Sequence, residues 1–319
     1  MASQRIFIAG ATGVLGRRLV PLLIEKGHHV TGMTRSATKR GLLEALGADP
    51  VVANALDASA VGRAISEAEP DVVVHQLTDL GNLRSMRNFD RSFAGNARLR
   101  SEGTDILLSA SRAAGVSRFV AQCYGGFLFG RGEPRARLRE EEPLDPEPHP
   151  AFRRSLAADR HLEEAVTGAG WTEGIVLRYG AFYGPGTSMS LAPPGIQSEA
   201  VRKRQFPIVG EGSGYMSFLH IDDAATATVA AIERGRHGIY QIADDDPARA
   251  RDWLPVLATA VGAKPPRHVP VWLARVLAGP AVVEIVTRGS GASNAKAKRD
   301  LDWQPTYGSW RDGFMRGLR

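Results

Sequence analysis

The chain has 319 residues, 43% of them hydrophobic and 23% charged, with a net charge of +6; that is ample for one large α/β domain with a smaller lobe. Its arginines are scattered among acids with no basic stripe interleaved with aromatics, which argues against nucleic acid as a partner. No apolar run reaches the ~18 residues of a membrane span, no charged-then-apolar leader precedes the first strand, and the single cysteine, Cys123, excludes an internal disulfide, so a cytoplasmic protein without a membrane partner is expected.

The first predicted element is a buried strand, Arg5-Ile-Phe-Ile-Ala9, because Ile6, Phe7 and Ile8 are β-branched or aromatic. It breaks into Gly10-Ala-Thr12-Gly13-Val14-Leu15-Gly16 and then into a helical pattern from Arg17 to Lys26. Gly10 permits the tight turn, Gly13 admits a pyrophosphate against the backbone, and Gly16 lets the helix pack closely on the sheet. The free N–H groups opening that helix suit an anion. A second strand, His29 to Thr34, completes the βαβ context in which such a glycine pattern reads as dinucleotide binding.

Gly10, Gly13 and Gly16 are spaced GxxGxxG, and here the chain resembles the short-chain dehydrogenase/reductase superfamily, in particular its extended NAD(P)-dependent epimerase/dehydratase branch. The resemblance runs nearly end to end. It implies a doubly wound parallel sheet of Rossmann type over residues 1–187 and a small C-terminal substrate lobe over 188–319, with some segments returning to the sheet.

After the second strand stand Arg35 and Ser36, where a carboxylate would bind the ribose of NAD; a guanidinium there favours the 2′-phosphate of NADP(H). Strand and helix then alternate through Pro50–Ala53, Ala58–Ala68 and Asp71–His75, as a parallel sheet requires. Asp57 matches the family aspartate beside the adenine, or is simply a helix N-cap, and Leu77 and Thr78 stand where the fourth strand meets the cofactor ribose. One long helix is expected from Phe93 to Ala114; in it the family's Asn-x-x-Gly-Thr reads Arg100-x-x-Gly103-Thr104.

The fifth strand, Ser117 to Cys123, is expected to end at the reaction centre, with Cys123 and Tyr124 as candidate catalytic residues where the family has a hydrogen-bonding Ser or Thr. Prolines and clustered charges from Arg131 to Pro150 read as a surface loop over the site, either passive or a substrate lid. On the next helix, Phe152 to Val166, the family carries Tyr-x-x-x-Lys; counting back from Glu164 puts Leu156 and Arg160 in those slots, so the pair is absent and Arg160 is left to bind ribose.

Leu177-Arg178 and Tyr183-Gly-Pro-Gly186 match a family signature beside the nicotinamide, and Phe218-Leu-His220-Ile-Asp222-Asp223 matches another. Tyr183, His220 and Met216 are expected to face substrate. The Arg-Asp that grips a nucleotide-sugar diphosphate reads Tyr215-Met216-Ser217 here, against a nucleotide-sugar epimerase or dehydratase. The preferred expectation is a monomeric or homodimeric NADP(H)-dependent reductase of a carbonyl on a small molecule, a ketoreductase protonated by water or by the substrate itself. A redox-sensing NADP(H)-binding protein without turnover is the alternative from another class.

Overall fold

A computed structural model describes residues 3–81, 86–125, 133–145, 147–193 and 195–319. The strands are β1 (Arg5–Ala9), β2 (His29–Thr34), β3 (Asp49–Val52), β4 (Val72–His75), β5 (Arg118–Tyr124), β6 (Glu173–Tyr179), β7 (Ala181–Tyr183), β8 (Ile208–Val209), β9 (Tyr215–Met216), β10 (Phe218–His220), β11 (Gly238–Ile242), β12 (Ala248–Arg249) and β13 (His268–Val269). Seven of them form one sheet in the order β11-β6-β5-β4-β1-β2-β3, every pair parallel. The expected doubly wound Rossmann sheet is what forms.

Apolar strand runs explain the core. Ile6, Phe7, Ile8, Val72, Val73, Val74, Phe119 and Val120 are all at most 1% exposed, because helices cover both faces of the sheet. The helix Gly16–Glu25 turns Leu19, Val20 and Leu23 inward onto one face. Chain order reverses between β1 and β4, so a crevice opens at their carboxyl ends, where this architecture binds ligands.

A second core lies beyond the sheet. β7 pairs with β10, and Tyr183, Phe218, Trp253, Trp310 and Phe314 pack together there, with Phe218 and Phe314 edge to face at 5.1 Å. β11 returns the chain to the edge of the main sheet.

Two local expectations change. The single helix expected from Phe93 to Ala114 is two, Ala94–Arg100 and Glu102–Ala113. Ser101 lies between them and donates its hydroxyl to the Ala97 carbonyl, a bond of the kind that bends helices. The proline-rich loop lies pinned across the molecule: Leu138 is buried, donates its N–H to Gly291 and accepts from Ser293, while Glu140 accepts from the Gln241 N–H on β11. Arg131, Gly132 and Pro146 of that loop lie outside the described residues.

Candidate active site

At the cofactor end the site is shaped by missing side chains. Gly10 has φ +96°, and a Cβ there would lie 2.6 Å from the Gln76 carbonyl oxygen. At Gly16 a Cβ would lie 2.5 Å from the Ala11 carbonyl oxygen. Both glycines are therefore needed to bring the loop over β1 and β4. Gly13 is exposed, and a Cβ there would meet only the Gly10 carbonyl, at 3.1 Å, so its outer side is open to a diphosphate. Thr12 and Thr34 bring their hydroxyls within 3.5 Å at the mouth of β2, Val14 is half-buried and Leu15 packs inward.

Arg18 ties this loop to the Tyr183-Gly-Pro-Gly tract, donating to the Pro185 carbonyl at 2.9 Å and pairing with Asp222 at 3.0 Å. Arg35 is mostly exposed at the end of β2, 3.6 Å from Asp79, and Ser36 exchanges a 2.7 Å hydrogen bond with Thr38. Asp57 accepts from the Ala60 N–H at 3.0 Å, which makes it the N-cap of the helix Ala58–Ala68. Leu77 follows β4 with its N–H on His75 Nδ1, and Thr78 is exposed beside it. This cradle fits a dinucleotide: shaped by glycines at the loop, with hydroxyls and the mostly exposed Arg35 at the end of β2.

The reaction end is filled with side chains instead. Arg178 on β6 makes a bidentate pair with Glu163, at 2.6 and 2.7 Å, and Arg100 pairs with Asp159; all four are buried. Cys123 lies opposite Arg178 in the sheet register, between the two pairs. Burial pushes its thiol well above the ordinary range, with Asp159 and Glu163 adding to the shift. Burial likewise raises the Asp159 carboxyl to about 6, against the pull of Arg100. Tyr124 also titrates high through burial, opposed by the nearby Arg100.

Glu163 is the glutamate that faces the sheet, whereas Glu164 is exposed, and this moves the helix register by one residue. The inward row of the helix Arg153–Thr167 is Ser155, Asp159 and Glu163, four apart. Ser155 gives its hydroxyl to Asp90 at 2.7 Å. The slots inferred by counting from Glu164, Leu156 and Arg160, lie one position off that row. Arg160 donates to the carbonyls of Leu144 and Asp145, holding the proline-rich loop instead of a ribose, and Leu156 packs with Phe152 and Phe89.

A small cavity opens above β5, lined by Tyr124, Gly125, Tyr215, Met216, Ser217 and Ile285 among others. Of Tyr183, His220 and Met216, only Met216 lines this cavity. Tyr183 is wholly buried with its ring edge to face on Phe314 at 5.3 Å, and its hydroxyl meets no partner among the described residues. His220 is 2% exposed; its Nε2 donates to the Gly317 carbonyl and its Nδ1 accepts from the Asp222 N–H, capping the helix Ile221–Arg234. Tyr215 and Ser217 belong to the tract that the sequence set against the family's diphosphate-gripping Arg-Asp, whereas the Arg100–Asp159 pair was not foreseen; its one signal was Arg100 standing where the family pattern has an asparagine.

The sheet order, the glycine loop at the switch point and the ribose-end polar groups together define a dinucleotide-binding oxidoreductase of the extended short-chain type. Residues 6–243 match the NAD dependent epimerase/dehydratase family, and the chain belongs to it. Among relatives it is 42% identical over 314 residues to a Streptomyces protein named 3-diazoavenalumate denitrifying reductase, covering 98% of this chain and all of the other. It is 28% identical over 262 residues to a ketoreductase of Stigmatella aurantiaca that is named for a farnesylated dihydroquinoline oxide, covering 82% of this chain and 74% of the other. Its fold matches that of the UDP-glucose 4-epimerase of Thermotoga maritima solved with UDP-glucose, at a TM-score of 0.75 and 24% identity, over 98% and 97% of the two chains.

Proposed function

We propose that the protein is an NADPH-dependent reductase acting on a small molecule that is not a nucleotide sugar, with residues from 188 onward forming the substrate lobe and the cavity beside Tyr124 receiving the reactive group. The carrying observation is the inward row of the helix Arg153–Thr167. Ser155, Asp159 and Glu163 are each already engaged, by Asp90, Arg100 and Arg178, and the helix has no tyrosine or lysine to offer a proton. Such a site suits a hydride acceptor that expels a leaving group in place of taking up a proton.

The nearly full-length relationship to a reductase named for a diazo compound supports that choice of substrate. When bound, a nicotinamide cofactor supplies a hydride, so an arenediazonium group gains a C–H bond, loses its C–N bond and departs as N2, while the cofactor is oxidised by two electrons and the protein gives up no proton. The chain's own residues bind and orient. Arg35 and Ser36 hold the 2′-phosphate, Gly10, Gly13 and Gly16 seat the diphosphate, and Tyr215 and Met216 wall the substrate against β5.

A second reading, ketone reduction, is favoured by Tyr124, which lines the cavity and, held protonated by burial, has a proton to give to a carbonyl oxygen. One experiment separates the two. NADPH consumption and N2 release are followed with an arenediazonium carboxylate, and NADPH consumption with a matched ketone, in the wild type and in Tyr124→Phe. The first reading expects equal amounts of N2 and NADP+, deuterium transfer from C4-labelled NADPH, and a loss of less than about tenfold in the variant. Ketone turnover that falls by ~10²–10⁴ in the variant establishes the second reading. Turnover of neither substrate above the protein-free rate rejects both and leaves a binding protein.

A further inference from the structure

Beside the cavity lies a cation that pairs with no acid among the described residues. β12 pairs antiparallel with β9, setting Arg249 directly opposite Tyr215, so the two side chains share one face of the ribbon. Tyr215 lines the cavity beside Tyr124, and the Arg249 guanidinium carbon lies 5.0 Å from the centre of the Tyr215 ring. Arg249 is half-buried, and its Nε is shut away from solvent with no hydrogen-bond partner among the described residues. Orphaned Nε atoms also occur on Arg18, Arg100 and Arg118, of which Arg118 donates to the Ile232 carbonyl. Arg18, Arg100 and Arg178 each pair with a carboxylate, respectively on Asp222, Asp159 and Glu163, whereas no acid of the described residues pairs with Arg249.

A guanidinium cannot shed its charge at any ordinary pH, so a half-buried one is costly until an anion reaches it. Its planar fork matches a carboxylate in two parallel hydrogen bonds. The cavity residues beside it, Tyr215, Met216 and Ile285, are aromatic or apolar, a surface suited to the flat face of a conjugated chain. We propose that Arg249 anchors a carboxylate of the substrate, so that a planar, conjugated acid lies along Tyr215 and its far end meets the reaction centre at Tyr124. This names the substrate class for the reductase reading above and rests on that reading for the direction in which the substrate lies.

Binding tests it without turnover. The NADPH-loaded protein is titrated calorimetrically with 4-hydroxycinnamate and with its primary amide, in the wild type, Arg249→Gln and Arg249→Lys, with inorganic phosphate as a competitor. The acid is expected to bind the wild type about tenfold or more tightly than the amide. Arg249→Gln should erase that preference while leaving the amide within about twofold, Arg249→Lys should restore part of it, and unchanged NADPH affinity in both variants reports an intact fold. The assignment is overturned if wild type binds acid and amide equally or binds neither, if both weaken in parallel in Arg249→Gln, or if phosphate competes better than the carboxylate. Because the readout is affinity, a protein that reduces neither a diazonium salt nor a ketone but keeps the Arg249-dependent preference would lose the reductase reading and retain this anchor.

Discussion

The two ends of the cleft are built on opposite principles. At the end of β1 the chain makes room by omitting side chains, and backbone geometry at Gly10 and Gly16 does the shaping. At the end of β5 charged side chains fill the space and satisfy one another, with Arg100 on Asp159 and Arg178 on Glu163 around Cys123. An absent side chain remains available to any ligand of suitable shape. A paired one is already spent. The same fold thus combines a glycine-shaped loop at one end with buried ion pairs at the other.

The sharpest way to break this contrast is to unpair the reaction end. Arg178→Met leaves Glu163 buried without a partner and should cost about 3–5 kcal/mol, read as a lower urea midpoint. Replacing both residues by apolar ones of similar volume should recover much of that loss. A single variant as stable as the wild type would mean that the pair is hydrated and not part of the core.

Overfilling the other end has a smaller effect. Gly16→Ala drives a Cβ to 2.5 Å from the Ala11 carbonyl oxygen and should cost about 1–3 kcal/mol of stability along with NADPH affinity. Gly13→Ala has only the Gly10 carbonyl to meet, at 3.1 Å, so it should weaken NADPH while leaving the urea midpoint nearly unchanged. If both variants lose stability equally, Gly13 serves the loop and not the ligand.

Arg35 tests the ribose side of the cradle. Arg35→Asp should weaken NADPH by about 1.5–3 kcal/mol, the scale of a charge-assisted hydrogen bond, with NADH little changed or improved. Equal affinity of the wild type for both cofactors would reject the phosphate assignment. Cys123 should show the smallest effect. Buried and held as a thiol, it should resist iodoacetamide in the native protein and react on unfolding, and Cys123→Ala should lower turnover by less than about a hundredfold. Rapid native alkylation would place an accessible thiolate at the reaction end after all.

By itself the sequence determined the sheet and the glycine loop, because those depend on neighbours close in the chain: a β-branched run, three glycines and a helix start. Only the tertiary structure decided which side chains reach the cleft. Glu163, and not Glu164, turns to Arg178, and one residue on a helix is a rotation of about 100°, enough to exchange Arg160 and Leu156 for Asp159 and Ser155. Tyr183 and His220 were lost to the site for a related reason: Phe314 and Gly317, far along the chain, close over them and make them core. Arg249 and Tyr215 meet only because β12 folds back on β9. Local sequence fixes the shape a backbone can take, but a side chain's role depends on what distant segment arrives beside it, and that is settled by packing.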